Sequence, residues 1–393
     1  MNPERFKDSP SGRLVRARER DQEYWAFVPN PLPPRVEIDD ELADVLSQAA
    51  YAVGELAGLE RNLSNPHLLL RPFIRREAVL SSKIEGTKTD IAELYAYEAG
   101  QRYLPGMAPP PPQSDLQEVL NYVRALEYGL ERVKELPVCL RLVQELHERL
   151  MEGTRGGGAH PGQFRQRQNY IGHNGLSIQE APYVPPPVAQ MQEALDAFER
   201  YLHSEGRYPR LMQLGLIHYQ FEAIHPFLDG NGRMGRLLSS LLLVHWGMLP
   251  MPLLYLSAYF EKFRERYFSL LRAISEGGAW RDWLLFFLQG VVDQSKDATS
   301  RAKSLQDLQA DWRGRISGAR ASALLPRLVD SLFDTPFITI PDAARTLHVT
   351  YRAAERNVMK LVEADILRQV AEGSYRRMFI AQEVIRIVER DKP

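Results

Sequence analysis

Apolar positions along the 393-residue chain recur mostly at three- and four-residue spacing, the period of helices that bury one face. Residues 1–34 depart from it: polar and punctuated by prolines, they are expected to form an extended arm. Helical periodicity then dominates from Asp39 to Gly100, until "LPGMAPPPPQSD" interrupts it as an extended or polyproline II connector. Ser114 and Asp115 predict the cap of a helix running to about Lys134, and a shorter helix ends before the glycine-rich loop "MEGTRGGGAHPG". "NYIGHNGLSI" predicts a β-hairpin turning at Asn174-Gly175. "YVPPP" stops it, and the amphipathic helix "VAQMQEALDAFERYLH" follows.

Two strongly apolar helices come next. "RLMQLGLIHYQFEAIH" carries Leu211, Leu214, Ile217, Phe221 and Ile224 at helical spacing, and "RLLSSLLLVHW" follows after a stretch of mixed character. The stretch from Leu237 is apolar enough to suggest a membrane span. His245, Pro250 and Pro252 interrupt it and two arginines precede it, so a core helix stopping near Gly247 is expected, with no membrane partner. Helices over 257–275 and 280–292 and a polar helical bridge lead to Ala321, where the pattern resets to three short helices and a two-stranded hairpin turning at Glu372-Gly373. The fold is expected to be mainly α. It divides into an N-terminal helical region (1–110), a central helical domain with a short β-hairpin (111–292), a helical linker (293–320) and a C-terminal domain (321–393).

Charge changes little in this picture: 49 Lys and Arg against 50 Asp and Glu create no global field toward nucleic acid or membranes, although a local basic patch can form. The single cysteine, Cys139, excludes an intramolecular disulfide framework and fits a reducing compartment. The N-terminal residues lack the apolar core of a secretory signal, so a cytoplasmic location is expected.

The chemistry is concentrated between the two apolar helices, in "HPFLDGNGRMGR", His225 to Arg236. Gly230 and Gly232 let the backbone turn sharply, so that loop amides and the next helix start form an anion site. Arg233 and Arg236, three apart, share a helix face and suit phosphate oxygens. Asp229 can hold Mg²⁺ against the same phosphates. A neutral His225 can take a proton from an incoming hydroxyl. Base, metal ligand and phosphate cradle without an evident covalent nucleophile fit transfer of a phosphorus-centred group to an external acceptor.

The run resembles the signature of the Fic family, His-Pro-Phe-x-Asp/Glu-Gly-Asn-Gly-Arg-x-x-Arg, at every fixed position. The resemblance implies an all-helical Fic core with a β-hairpin flap. It also implies transfer of AMP from ATP to a Ser, Thr or Tyr hydroxyl of a target protein, with Mg²⁺ as cofactor. On that reading His225 is the base, Asp229 the metal ligand, and Gly230, Asn231, Gly232, Arg233, Gly235 and Arg236 form the ATP site, with Arg236 receiving the γ-phosphate. "GQFRQRQNYIGHNG…APYVPPP" looks like the family's flap, whose exposed edge adds a target segment as a strand and whose Ile178 packs on the adenine. Tyr267 sits where family members place an aromatic against the nucleotide; its spacing alone would put it in the core.

A second motif lies far upstream. In "SSKIEGT", Ser81 and Glu85 are four apart on a helix expected over about 72–86, with Gly86 as its terminating residue. A glutamate in the last turn opposes the helix dipole, at a cost of a few tenths to about 1 kcal/mol. Ser81 to Gly86 resembles the family's inhibitory motif, which implies self-inhibition: Glu85 would pair with Arg236 and take the place of the γ-phosphate.

The C-terminal "TIPDAARTLHVTYRAAERNVMKLVEADILRQVAEGSYRRMFIA" reads as helix–turn–helix plus wing and resembles a winged-helix domain. Its second helix turns Ala354, Val358 and Leu361 inward, while Arg352, Arg356, Lys360, Arg376 and Arg377 could meet DNA phosphates, diluted by Glu355 and Glu363. Three functions therefore stand beside one another: a self-inhibited protein adenylyltransferase, a Fic enzyme that removes AMP or transfers another phosphate-containing group, and a DNA-binding regulator with a ligand-sensing Fic core. ATP, a target protein and DNA are the candidate partners. A homodimer stays open, and no residue specifies it.

Overall fold

The computed structural model describes residues 1–19, 22–61, 67–98, 112–154, 160–172, 175–317, 324–370 and 377–390. In chain order these form β1 (Gly12–Glu19), β2 (Gln22–Pro29), α1 (Asp40–Arg61), α2 (His67–Ile84), α3 (Ile91–Glu98), α4 (Gln113–Arg132), α5 (Leu140–Met151), α6 (Val188–Leu202), α7 (Arg210–Ile224) and α8 (Asn231–His245). There follow α9 (Ser257–Lys262), α10 (Arg264–Gly277), α11 (Trp280–Arg315), α12 (Leu325–Asp334), β3 (Phe337–Thr339), α13 (Ile340–Leu347), α14 (Tyr351–Glu363), β4 (Arg368–Gln369), β5 (Met378–Ile380) and α15 (Gln382–Glu389). The fold is mainly helical, as the periodicity indicates. No helix among the described residues is long and apolar enough to cross a membrane. Two compact units, 1–57 with 121–295 and 58–120 with 296–393, cut across the divisions expected from the sequence.

The first unit is built around α7 and α8, which are buried at nearly every position. A helix apolar all round has no solvent face and becomes the centre of a bundle. α7 packs against α6, α8, α10 and β2, and α5 packs against α8. Gly215 in α7 lets α11 approach closely: a Cβ there would lie 3.1 Å from Leu284, and the Trp283 indole donates to the Gly215 carbonyl at 2.9 Å. α8 ends as expected, with Gly247 at φ 68°.

Residues 1–34 are not a simple extended arm. They form an antiparallel hairpin in which Leu14 pairs with Phe27 and Val15 with Ala26. Alternation in "YWAFV" buries Tyr24, Ala26, Phe27 and Val28, a period-two signal diluted by the arginines of β1. The expected hairpin near the flap is correspondingly smaller. One antiparallel bridge, Ile171 to Tyr183, closes a loop whose second arm is rich in prolines, which donate no ladder hydrogen bond. Asn174 of the expected turn lies outside the described residues, as do most of the proline-rich connector and glycine cluster. The helix expected over 257–275 breaks at Phe263 into α9 and α10.

In the second unit α2 begins at His67, with Pro72 inside it, and packs against α3, α12 and α15. It ends at Ile84, so Glu85 follows the helix instead of closing it, and Gly86 takes φ 102°. Ser114 and Asp115 lie inside α4; Asp115 accepts the Lys88 amide at 3.0 Å. The expected linker is the second half of one 36-residue helix, α11. Its Arg301, 5% exposed, binds Asp297 at 2.6 Å and donates to the Ile387 and Val388 carbonyls at the end of α15. β3 and α15 were not expected; β3, β5 and β4 make a three-stranded antiparallel sheet. α13 starts with a capping box between Thr339 and Asp342, and α14 buries Ala354, Val358 and Leu361. The Glu372-Gly373 turn and Arg376 lie outside the described residues.

Candidate active site

α7 closes on His225, whose amide donates to Phe221 at 3.0 Å while its backbone takes the left-handed conformation, φ 49° and ψ 60°. A non-glycine residue holds that conformation only where its surroundings over-determine it. Arg165 supplies much of this restraint. Its Nε donates to the His225 carbonyl at 3.0 Å, its amide to the Pro226 carbonyl at 2.9 Å, and a further guanidinium nitrogen to the Pro186 carbonyl. Burial pushes the Arg165 pKa down to about 10, still high enough to keep it charged at neutral pH.

The His225 ring is oriented by its own helix: Nδ1 donates to the Glu222 carbonyl at 3.2 Å. A carbonyl only accepts, so Nδ1 carries a proton; in the neutral ring the lone pair is then on Nε2, the tautomer a general base requires.

The loop after His225 is clamped from two sides. The Asn231 side chain accepts the Phe227 amide at 2.9 Å and donates to the Phe227 carbonyl at 2.8 Å. Both ends of its amide are thus bound to the loop, and Asn231 is 2% exposed. From α5, His147 stacks on Phe227 and its Nδ1 accepts the Gly162 amide at 3.0 Å. Its Nε2 therefore carries the proton and donates to the Asp229 carbonyl at 3.0 Å. Burial lowers the His147 pKa to about 4, which fixes it in this neutral form.

Gly230, at φ 79°, starts α8; a Cβ there would lie 2.7 Å from the Met151 sulfur. Its amide donates to Asp229 Oδ1 at 2.6 Å, and the first helical bond runs from the Met234 amide to the Gly230 carbonyl. The Asn231 and Gly232 amides precede that bond, at the positive end of the helix dipole. Arg233 and Arg236 are 3% and 2% exposed, so they form no solvated face; Arg233 lies 4.0 Å from the half-exposed Asp229 carboxylate. Gly235 brings α8 close to α7, since a Cβ there would lie 2.6 Å from Glu222 Oε1.

Tyr267 lies in the core of the first unit. It is 1% exposed, stacks on Phe260 and donates to His218 Nε2 at 2.8 Å. His218 Nδ1 in turn donates to Ser239 Oγ at 3.2 Å, and Ser239 to the Gly235 carbonyl at 2.9 Å. Tyr267 thus supports α8 through a buried relay, as its helical spacing indicated. Ile178 is half-buried on the flap loop. Ser81 is buried in the second unit, where Glu85 and Gly86 are exposed. His147, Arg165 and Asn169, which donates to the Phe227 carbonyl at 2.7 Å, were not anticipated. Their partners are main-chain atoms distant in sequence, and no local pattern marks such residues.

This left-handed histidine, glycine-led helix start and buried arginine pair lie within the run that carries the Fic signature. Residues 43–131 match the Fic/DOC family N-terminal region and residues 137–243 the Fic/DOC family itself. Over these residues the chain belongs to the Fic/DOC family. "Protein adenylyltransferase Fic" of Drosophila ananassae is 30% identical over 167 residues, 41% of this chain and 29% of that protein. Its counterpart in Drosophila virilis is 31% identical over 167 residues, 41% and 30% of the two chains. The match thus spans less than a third of these curated relatives' length. A Fic family protein from Desulfovibrio desulfuricans G20 shares the fold with a TM-score of 0.56 at 21% identity, over 89% of this chain and 98% of that one. Fic-1 (aa134 - 508) from C. elegans does so with a TM-score of 0.51 at 18% identity, over 68% and 74%.

Proposed function

We propose that the protein is a protein adenylyltransferase that transfers AMP from ATP to a Ser, Thr or Tyr hydroxyl of a target protein. The observation that carries this reading is the hydrogen bond from His225 Nδ1 to the Glu222 carbonyl, which in the neutral ring puts the lone pair on Nε2, in the loop that leads into α8. Nε2 takes the hydroxyl proton as the hydroxyl oxygen attacks the α-phosphorus. The bond from that phosphorus to the bridging oxygen breaks, and pyrophosphate leaves. The Asn231 and Gly232 amides and the Arg233 and Arg236 guanidinium groups suit the charge on the phosphates.

No cluster of three or more His, Cys, Asp or Glu side chains among the described residues is placed to hold a metal. Mg²⁺ needs no such cage, because one carboxylate with phosphate oxygens and waters suffices. Asp229, whose side chain is 53% exposed at the cradle, fits that role. Mg²⁺ there would neutralise phosphate charge.

We further propose that Glu85 restrains the transfer, supported by the Ser81–Gly86 motif and the turn at Gly86. The α13–α14 pair with β4 and β5 supports a winged-helix reading. DNA contact would use the exposed Arg352, Arg356 and Lys360, whereas Arg377 is paired with Glu355. The single cysteine favours a reducing, cytoplasmic setting.

Incubation with ATP labelled at either the α- or the γ-phosphate tests the central reading. Label should enter protein from the α-position alone and vanish in His225→Ala. Transfer of γ-label, or undiminished α-label in the variant, would overturn it.

A further inference from the structure

Arg165 is 2% exposed, and every hydrogen-bond partner of its side chain among the described residues is a main-chain carbonyl. Nε donates to His225 at 3.0 Å, one terminal nitrogen to Pro186 and the other to Arg167 at 3.5 Å. A buried cation that no carboxylate pairs with is costly to hold. What the site gains from a guanidinium is its rigid planar fork, which spans carbonyls that lie apart, whereas a lysine ammonium donates from a single point.

The three carbonyls belong to separate parts of the site. Arg167 lies on the first arm of the flap loop and Pro186 at the end of the second, with the arms joined by the Ile171–Tyr183 bridge. His225 closes α7. Its amide is held by the Phe221 carbonyl at 3.0 Å, and its carbonyl by Arg165 at 3.0 Å and Asn169 at 3.5 Å. Peptide groups are planar, so holding the amide on one side and the carbonyl on the other fixes both dihedrals, φ 49° and ψ 60°. The direction of the Cα–Cβ bond follows from them, and it carries the ring to the Glu222 carbonyl, 3.2 Å from Nδ1.

We propose that Arg165 is a positioning residue for the transfer: its grip on the His225 carbonyl keeps Nδ1 on Glu222 and so selects Nε2 as the base. This role rests on the adenylyltransferase reading and adds to it the residue that sets its base. It goes beyond support of the backbone, because which ring nitrogen is protonated follows from the hydrogen bond the ring makes. Without the fork, His225 leaves the left-handed region, which a side chain disfavours. Nδ1 then loses its acceptor, and the lone pair of the neutral ring is no longer confined to Nε2. The same fork holds the flap at Pro186, so flap and base are set together.

The full chain, isotopically labelled in its histidine ring nitrogens, is read by long-range proton–nitrogen correlation without ATP, at about pH 8.5, above the ordinary histidine range. The His225 signals are those missing from His225→Gln. They should show the proton on Nδ1 in the wild type and a mixture of both tautomers in Arg165→Met. Transfer is then followed with α-labelled ATP. The maximal rate should fall at least about tenfold in Arg165→Met while the ATP concentration giving half of it stays within about twofold, which separates lost positioning from lost nucleotide binding. Arg165→Lys keeps the charge without the fork and should resemble Arg165→Met; it also takes that variant's place if Arg165→Met does not fold. A folded Arg165→Met with the wild-type spectrum, a full rate in Arg165→Lys, or a wild-type proton on Nε2 overturns the proposal. Absence of α-label in the wild type would instead remove the adenylyltransferase reading, and the spectra would still decide whether Arg165 sets the His225 ring.

Discussion

The His147 imidazole lies almost flat on the Phe227 ring, centroids 3.6 Å apart and planes 6° from parallel, while its Nε2 holds the Asp229 carbonyl at 3.0 Å. One side chain from α5 thus fixes two points of the loop that carries the proposed metal ligand.

His147→Ala removes that stacking and leaves the Asp229 carbonyl and Gly162 amide without their partner. Each such loss costs about 1–3 kcal/mol, and an aromatic pair about 0.5–1.5. A stability decrease of about 3 kcal/mol is expected from urea unfolding. AMP transfer should fall with it, measured where the variant is still folded. A loss below about 1 kcal/mol would mean that other contacts hold the loop.

Gly230→Ala combines a left-handed backbone with a Cβ 2.7 Å from the Met151 sulfur. Left-handed geometry alone costs a non-glycine residue about 1–2 kcal/mol. Transfer should drop at least about tenfold as the cradle shifts. Met151→Ala in the same chain should restore part of it, because the steric portion is then relieved. No recovery would assign the whole effect to the backbone.

His218 provides a pH signature. Burial, and then the charge of Arg236, depress its pKa to about 3, whereas an unfolded histidine titrates near 6.5. Native His218 therefore stays neutral while the unfolded chain takes up a proton. Its contribution to stability is fully present above pH 6.5 and is lost as pH falls toward 3. The slope approaches about 1.4 kcal/mol per pH unit well below 6.5. Unfolding free energies measured from pH 7 to 4 should be flatter by about that slope in His218→Asn. Identical slopes would place a charged histidine in the core.

Glu85→Gly should raise automodification by at least about tenfold, equivalent to about 1.4 kcal/mol of shift in the competent population. Label counted on the purified protein after incubation with α-labelled ATP measures it. Equal labelling in both proteins would remove Glu85 as a restraint and leave the His225 chemistry untouched.

The motif from His225 to Arg236 was legible because each step is local. Glycines permit the turn, a helix start exposes amides, and three-residue spacing puts both arginines on one face. The central helices were legible for a similar reason, since the apolar positions of α7 and α8 mark burial without knowledge of their neighbours. The N-terminal hairpin was missed because its arginines masked the alternation of β1. The bridge was expected to be helical, but its continuity with the preceding helix in α11 was not, because a polar sequence hides the buried Leu305 and Trp312.

By itself the sequence determined which residues could form a base, a cradle and a helix end, since these depend on neighbours a few positions apart. Only the tertiary structure decided the tautomer of His225, the structural duty of Asn231, the burial of both arginines and the supporting places of His147, Arg165 and Tyr267. Each of these depends on hydrogen bonds and desolvation set by other parts of the chain. Such contacts leave no periodic trace in the order of the amino acids.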